Sequence, residues 1–307
     1  MNDFRPKVAV LIGCYNHERY IESCLESVIK QTYDNIVIYI SDDCSKDNTV
    51  KVISEYIAKY CQRFDIILDA KKNNLGVANN YNSLIQLALK DNDVRYIIPF
   101  AGDDLMLEDK VARQVKELEN NKDTYLCYSN MQWFNSDTDK KIINHFNMLF
   151  NPSTSIDKII GEAIIPTPTL CIRREALENI KYNNQLKYVN DYLLTVELAL
   201  LGGVLYIPEI LVRYRKHGAS IMDTTLFLEE RVDAASYITE HYGYEPAAKH
   251  FASTAKFDYL IKSLNESNYR ESVVRFVKLI PTFFSSQKWF FRLLKFLVLI
   301  AKRTFKK

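Results

Sequence analysis

The sequence lacks most of the devices that announce a cofactor. Its eight glycines never form Gly-x-Gly-x-x-Gly behind an apolar run, which speaks against a dinucleotide-binding turn. No glycine precedes a lysine, so there is no P-loop, and none of the five histidines belongs to a His-Glu-x-x-His pattern. Six cysteines are scattered without a Cys-x-x-Cys pair, signalling neither a zinc cluster nor a disulfide framework; a reducing compartment suits them. No uninterrupted run of about 18 apolar residues occurs, so no membrane span is expected. The start, MNDFRPKVAVLIG, has neither the basic opening nor the long apolar segment of a signal peptide, and a cytoplasmic location is expected. Acids are missing after Glu271, where nine bases remain. The formal charge of +2 therefore conceals an acidic body, a poor match for nucleic acid.

What is present fits one large α/β domain with an appendage: 307 residues, 48% apolar and 25% charged. KVAVLIG (7–13), NIVIYIS (35–41), FDIILD (64–69) and YIIPFA (96–101) read as buried strands. Helical stretches separate them: one with Ile21, Leu25, Val28 and Ile29 on a face, one opened by Asp47 as a cap, and NNYNSLIQLALK. That alternation predicts a parallel sheet with helices on both faces. Beyond Tyr125, TYLCYSNMQWF, KIINHF and PTPTLCIRR read as strands, and VNDYLLTVELALLGG as a helix stopped by Gly202-Gly203. VLYIPEILVRYRKH looks like two short strands, and the chain from about 223 onward reads as helices alone.

Open parallel sheets bind ligands at the carboxyl ends of their strands. Here those ends carry Gly13-Cys14-Tyr15-Asn16, Ser41-Asp42-Asp43-Cys44-Ser45 and Ala101-Gly102-Asp103-Asp104, which puts three polar clusters on one rim. Adjacent carboxylates repel unless a cation or a helix N-terminus compensates. Capping of a helix near Glu108 would account for either Asp103 or Asp104; a divalent cation would account for both. Without a glycine-rich cradle, a phosphate ligand would need such a cation as its counter-charge.

In order and spacing, VAVLIGCYN, QTYDNIVIYISDDCSKDNT, NNLGVANNYN, IIPFAGDDLM, VNDYLLTVELALLGG and VRYRKHGAS resemble the inverting glycosyltransferases of family 2, which have the GT-A fold. The likeness covers roughly residues 7–218. It implies a GT-A catalytic domain over 1–220, Rossmann-like with a mostly parallel sheet flanked by helices. The nucleotide-sugar half would span about 1–104 and the acceptor half about 105–220, with a helical extension over 221–307.

The resemblance also implies roles. The donor would be a nucleotide-sugar, most often a UDP-sugar, and the acceptor a hydroxyl of a glycan or lipid-linked saccharide. Tyr15 would lie against the base and Asp42, with Asp43 beside it, would meet the uracil edge. Asn74, Gly76 and Asn80 match a word near the nucleotide, and could equally form a turn and helix start. Asp103 and Asp104 match the metal-binding acidic motif, with Asp104 the direct ligand of Mn2+ or Mg2+ and His217 a second one. Ala101 stands where an aspartate is common, leaving one carboxylate fewer. Arg213, Arg215 and Lys216 would neutralise the diphosphate, and strand alternation turns Arg213 and Arg215 one way, opposite Tyr214. Asp191 would be the catalytic base, with Asn190 in place of the acid that often precedes it.

The end of the chain, KWFFRLLKFLVLIAKRTFKK, gathers basic residues near one helical stripe beside a broad apolar surface. Such a helix suits an anionic membrane interface, or packs on its own domain with its bases outward. The first reading makes 286–307 a peripheral anchor on the cytoplasmic face of the membrane. Two rival classes are a sugar-nucleotide nucleotidyltransferase, whose glycine-rich loop after the first strand GCYNHERY does not supply, and a non-catalytic nucleotide-sugar-binding protein.

Overall fold

A computed structural model describes residues 5–60, 63–135, 141–143, 154–162, 165–216 and 225–265. The chain divides into two units, Met1–Ser220 and Ile221–Lys307.

The first unit is built around a nine-stranded sheet among the described residues. Its parallel half comprises β1 (Lys7–Cys14), β2 (Ile36–Asp42), β3 (Asp65–Ala70) and β4 (Val94–Ala101), in the order β3-β2-β1-β4. The central strand β1 is paired on both edges, and Val8 through Ile12 are wholly buried, which explains its unbroken apolar run. At the sheet's edge β3 shows mixed exposure instead. The connecting helices are α1 (Ile21–Ile29), α2 (Thr49–Tyr60) and α3 (Val77–Leu89). Helix α1 buries Ile21, Cys24, Leu25 and Val28, spaced as one face of a 3.6-residue period. Helix α3 buries Tyr81, Leu84, Ile85 and Ala88 in the same way.

The sheet then changes character. Beyond β4 come β8 (Leu170–Arg173), β6 (Leu126–Asn135), β9 (Val204–Lys216) and β5 (Leu105–Met106), with β7 (Lys141–Ile143) paired to β6. Strand β8 runs antiparallel to both β4 and β6, while β6 and β9 are parallel, so the whole sheet is mixed. Helices α4 (Lys110–Asn120), α5 (Ile156–Glu162) and α6 (Asn190–Gly202) belong to this half.

Two local expectations are corrected. The stretch from Val204 is one strand of 13 residues, not two. Proline at 208 has no N–H for the ladder, and the strand absorbs it in a bulge: Ser129 pairs with Ile207, but Asn130 with Ile210. The Asn130 side chain closes the gap, its Nδ2 donating to the Pro208 carbonyl at 3.3 Å. Secondly, neither Asp103 nor Asp104 caps a helix, because α4 begins only after Asp109, at its N-cap. The pair occupies a turn between β4 and β5, closed by the Asp104 N–H donating to the Ala101 carbonyl at 3.2 Å.

In the second unit, α7 (Thr225–Tyr242) packs on α8 (Glu245–Asn265). Small buried residues, Ala234 and Ala235 on one helix and Ala248 and Ala255 on the other, permit close approach. Arg231 ties the pair together, donating to Thr254 Oγ1 at 2.6 Å and to Asp258 Oδ2 at 3.1 Å. Among the described residues no helix is long and apolar enough to cross a membrane. The basic stretch 286–307 lies outside them.

Candidate active site

Strand register assembles the rim. Cys14 is level with Asp42, and Gly13 is level with Ala101. Hydrogen bonding continues past the strand ends, with Asp43 N–H donating to the Cys14 carbonyl at 2.9 Å and Gly102 N–H to the Gly13 carbonyl at 3.0 Å. Residue 102 must be glycine for this: a Cβ there would lie 2.7 Å from Cys14 Sγ and 2.9 Å from His17 Nδ1.

Around Asp42 the loops after β1 and β2 are stitched together. The Asp42 carboxylate is buried and accepts from Ser45 twice, Oδ2 from its N–H at 2.9 Å and Oδ1 from its hydroxyl. The Asn16 N–H donates to Ser45 Oγ at 2.8 Å, and the Lys46 N–H to Asn16 Oδ1 at 2.8 Å. Asn16 and Cys44 hold left-handed backbone, φ 57° and 64°, a conformation that cysteine rarely takes outside a constrained site.

Asp43 turns the other way. Its carboxylate accepts the N–H groups of Leu75 at 2.6 Å and Gly76 at 2.9 Å, shaping the loop that precedes α3. Asn74 supports the same loop through Asp43 O at 3.0 Å. Gly76 has φ +80°, which suits glycine, and Leu75 and Val77 on either side are exposed. Tyr15, at 44% exposure, stands out from the neighbouring loop. Asn80 does not join this surface. It is buried, its Oδ1 accepting from Ser41 Oγ at 2.5 Å and its Nδ2 donating to Ser41 O at 3.2 Å. It thereby braces α3 against β2.

In the acidic turn, Asp104 is buried and Asp103 half-buried. Burial and the charge of Asp103 push the Asp104 carboxyl well above the usual range, opposed by the backbone N–H and positive charge of Arg215. Among the described residues no three acidic, histidine or cysteine side chains form a metal cage. Residue 217 lies outside the described residues. A buried carboxylate beside a second one nevertheless fits a hard divalent cation that takes its other ligands from water and phosphate.

Asp191 lies in the first turn of α6, half-buried, its Oδ1 accepting the Tyr192 N–H at 2.8 Å. Burial pushes its carboxyl up to about 6. Two side chains reveal how the acids are grouped. The Tyr214 phenol is pushed up by burial and then by the charges of Asp104, Asp103 and Asp191. The buried Cys14 thiol is raised by burial and by Asp42 and Asp103. Asp103, Asp104 and Asp191 therefore all act electrostatically on Tyr214, and Asp42 and Asp103 on Cys14. Tyr214, the particular role of Ser45 and the tilted pair Tyr81–Tyr182, ring centroids 5.3 Å apart, were not singled out in the sequence. Ser45 has a signal there, as a serine just behind an acidic pair; the tyrosine pair has none.

The expectation that Arg213 and Arg215 face one way holds, since both guanidinium groups lie over the Phe134 ring, at 4.4 and 4.5 Å.

The profile described as Glycosyl transferase family 2 matches residues 9–181. The chain belongs to that family. An uncharacterized glycosyltransferase of Haemophilus influenzae is 30% identical to this family 2 chain over 223 residues, covering 69% of it and 66% of the relative. Protein Rv1520 of Mycobacterium tuberculosis is 29% identical over 210 residues, covering 67% of this chain; the match spans only 58% of that relative's length. Among solved structures, S. aureus TarS 1–349 in complex with UDP-GlcNAc superposes with a TM-score of 0.66 at 16% identity, covering 89% of this chain and 79% of TarS 1–349. A mannosyltransferase from Pyrobaculum calidifontis, in complex with GDP-Man and Mn2+, gives 0.61 at 15% identity, covering 98% of this chain and 87% of that one. The family 2 chain has the GT-A fold of these structures.

Proposed function

We propose that this chain is a metal-dependent, inverting glycosyltransferase that moves one sugar from a nucleotide-sugar, a UDP-sugar, to a hydroxyl of a glycan or lipid-linked saccharide. The observation that carries the reading is the acidic turn at the end of β4, where buried Asp104 adjoins Asp103; the charges of both, with that of Asp191, act on Tyr214, and burial pushes the Asp191 carboxyl up to about 6. Family membership and the nucleotide-sugars held by its structural neighbours support it further.

In this mechanism Asp191 accepts the proton of the acceptor hydroxyl as that oxygen attacks the anomeric carbon from the face opposite the departing diphosphate. A base near 6 is ionised at neutral pH, yet basic enough to drive proton transfer, and such catalysis is typically worth about 10²–10⁴-fold. Its placement in the first helical turn holds the acceptor oxygen's partner in a fixed direction. Asp104 and Asp103 would hold Mn2+ or Mg2+, which supplies charge neutralisation at the leaving diphosphate. Arg213 adds positive charge to the same group. Tyr15 offers its exposed ring to the base, and Asp42 keeps acceptor capacity beyond its two bonds to Ser45 for an imide N–H. Asp43 and Asn74 act indirectly, by shaping the loop at Gly76.

The lipid-linked acceptor and the membrane surface rest on the basic sequence of 286–307. The decisive experiment is a donor screen with Mn2+, reading nucleoside diphosphate release across UDP-, GDP- and dTDP-sugars. Release from a UDP-sugar that depends on added acceptor sustains the proposal. Absence of both hydrolysis and transfer with every donor rejects it.

A further inference from the structure

Arg215 is held from four sides. Its backbone N–H donates to Asp104 Oδ1 at 2.8 Å, and its Nε donates to the Asp103 carbonyl at 2.6 Å. Its Nη2 reaches Ser23 Oγ on α1 at 3.2 Å. The guanidinium lies between two rings, 4.9 Å from the centroid of Tyr20 and 4.5 Å from that of Phe134. A planar fork in contact with two rings, with two of its three nitrogens directed at protein oxygens, has little freedom to swing toward a ligand. The contacts also join parts of the chain 111 and 192 residues apart, binding the end of β9 to the acidic turn and to α1.

The turn needs such a support. Asp103 and Asp104 sit side by side, and only the two-residue strand β5, paired to β9 at Leu105–Arg213 and Met106–Val212, follows them. Without a fixed partner, charge repulsion would splay the two carboxylates apart. Arg215 meets both aspartates at once, its side chain at the Asp103 carbonyl and its backbone N–H at the Asp104 carboxylate.

We propose that Arg215 is a positioning residue that sets the acidic turn for cation binding, and not a ligand of the donor's diphosphate. This rests on the reading of that turn as the cation site. It assigns the diphosphate's arginine to Arg213 and predicts that lysine will not replace Arg215: an ammonium carries the charge without the fork that serves Asp103 and Ser23 together.

The test uses full-length Arg215→Met, Arg215→Lys and Arg213→Met proteins with three readouts. Amide hydrogen exchange of the peptide spanning 101–107 should accelerate at least tenfold in both Arg215 variants and stay unchanged in Arg213→Met. Mn2+ affinity, from the paramagnetic resonance of the free ion, should fall at least tenfold in both Arg215 variants. UDP affinity measured calorimetrically in EDTA should stay within about twofold of wild type for them and weaken in Arg213→Met. Unaltered exchange of the turn in the Arg215 variants overturns the proposal, as does intact Mn2+ binding alongside tenfold weaker metal-free UDP binding. If Arg215→Met does not fold, Arg215→Lys carries the same comparisons. A wild-type protein binding neither Mn2+ nor UDP would remove the functional reading, while the exchange data would still decide whether Arg215 holds the turn.

Discussion

Replacing Asp191 by asparagine should make the protein more stable while it abolishes transfer. The substitution keeps the side chain's shape and an oxygen to accept the Tyr192 N–H, now 2.8 Å away, and removes the charge. Burial lifts the folded-state carboxyl from 3.8 to about 6. At about 1.4 kcal/mol per pKa unit, holding this carboxylate ionised costs at most about 3 kcal/mol, and partial solvent access lowers that figure. The sign follows from the direction of the shift. Between pH 3.8 and about 6 the folded protein keeps a proton that the unfolded chain has released, so stability falls as pH rises through that window. Above it the whole penalty is present. Urea unfolding at about pH 7.5 should therefore show Asp191→Asn more stable than wild type by about 1–3 kcal/mol, with the gap closing near pH 4. Transfer at saturating donor should drop by about 10² or more. The wild-type rate should itself fall about tenfold from pH 7 to pH 5, whereas an ordinary carboxylate would barely change over that range. A variant no more stable than wild type at neutral pH would show that the carboxylate is not desolvated. One that keeps over about a tenth of the rate would show that the base lies elsewhere.

Four further outcomes are expected. Lys110 is fully buried with its ammonium bonded to Gln114 Oε1 at 2.6 Å and Leu170 O at 3.2 Å, and burial lowers its pKa from 10.5 to about 8. Because the unfolded chain binds the extra proton between those values, wild type should gain stability relative to Lys110→Met as pH rises from 8 to about 10, by up to about 3 kcal/mol; parallel urea curves at both pH values would contradict this. Gly102→Ala should cost about 1–3 kcal/mol in thermal or urea unfolding, since its Cβ meets Cys14 Sγ at 2.7 Å, and should raise the Mn2+ concentration needed for half-maximal transfer. Chelator-treated protein should be inactive in diphosphate release until Mn2+ or Mg2+ is restored, and activity surviving chelation would remove the cation from the mechanism. Deleting 286–307 should release the protein from anionic phospholipid vesicles in a sedimentation assay; unchanged partition would favour packing of that stretch on its own domain.

Much of the first half was legible because β1, β2 and β4 are buried on both faces and leave uninterrupted apolar words. Their ends were legible too, and register then set Cys14 beside Asp42. The second half obeys weaker local signals. Strand β5 has only two residues, too few for any period, and exists because β9 offers it a partner. Pro208 reads locally as a break, yet Asn130 on the adjacent strand carries the ladder past it. Side-chain direction at the strand ends was the least accessible feature. Asp42, Asp43 and Asn80 are all polar residues beside a ligand rim, and only the folded chain shows Asn80 bonding inward to Ser41 and Asp43 gripping the loop at Gly76.

The bulge at Pro208 bears directly on the chemistry. By letting β9 continue, it keeps Arg213, Tyr214 and Arg215 in sheet register beside Gln132, Trp133 and Phe134. Alternation then separates their roles. Arg213 and Arg215 stack on Phe134, and Arg215 fixes the acidic turn, whereas Tyr214 stands among the charges of Asp104, Asp103 and Asp191. A slip of one residue in that register would exchange the two faces of β9. Pairing of β6 with β9 therefore decides which of these side chains share a face. Substitutions that straighten the bulge, such as Asn130→Val with its lost 3.3 Å bond to Pro208, should lower transfer more than they lower donor binding. Equal losses in both would mean that the base keeps its position without the bulge.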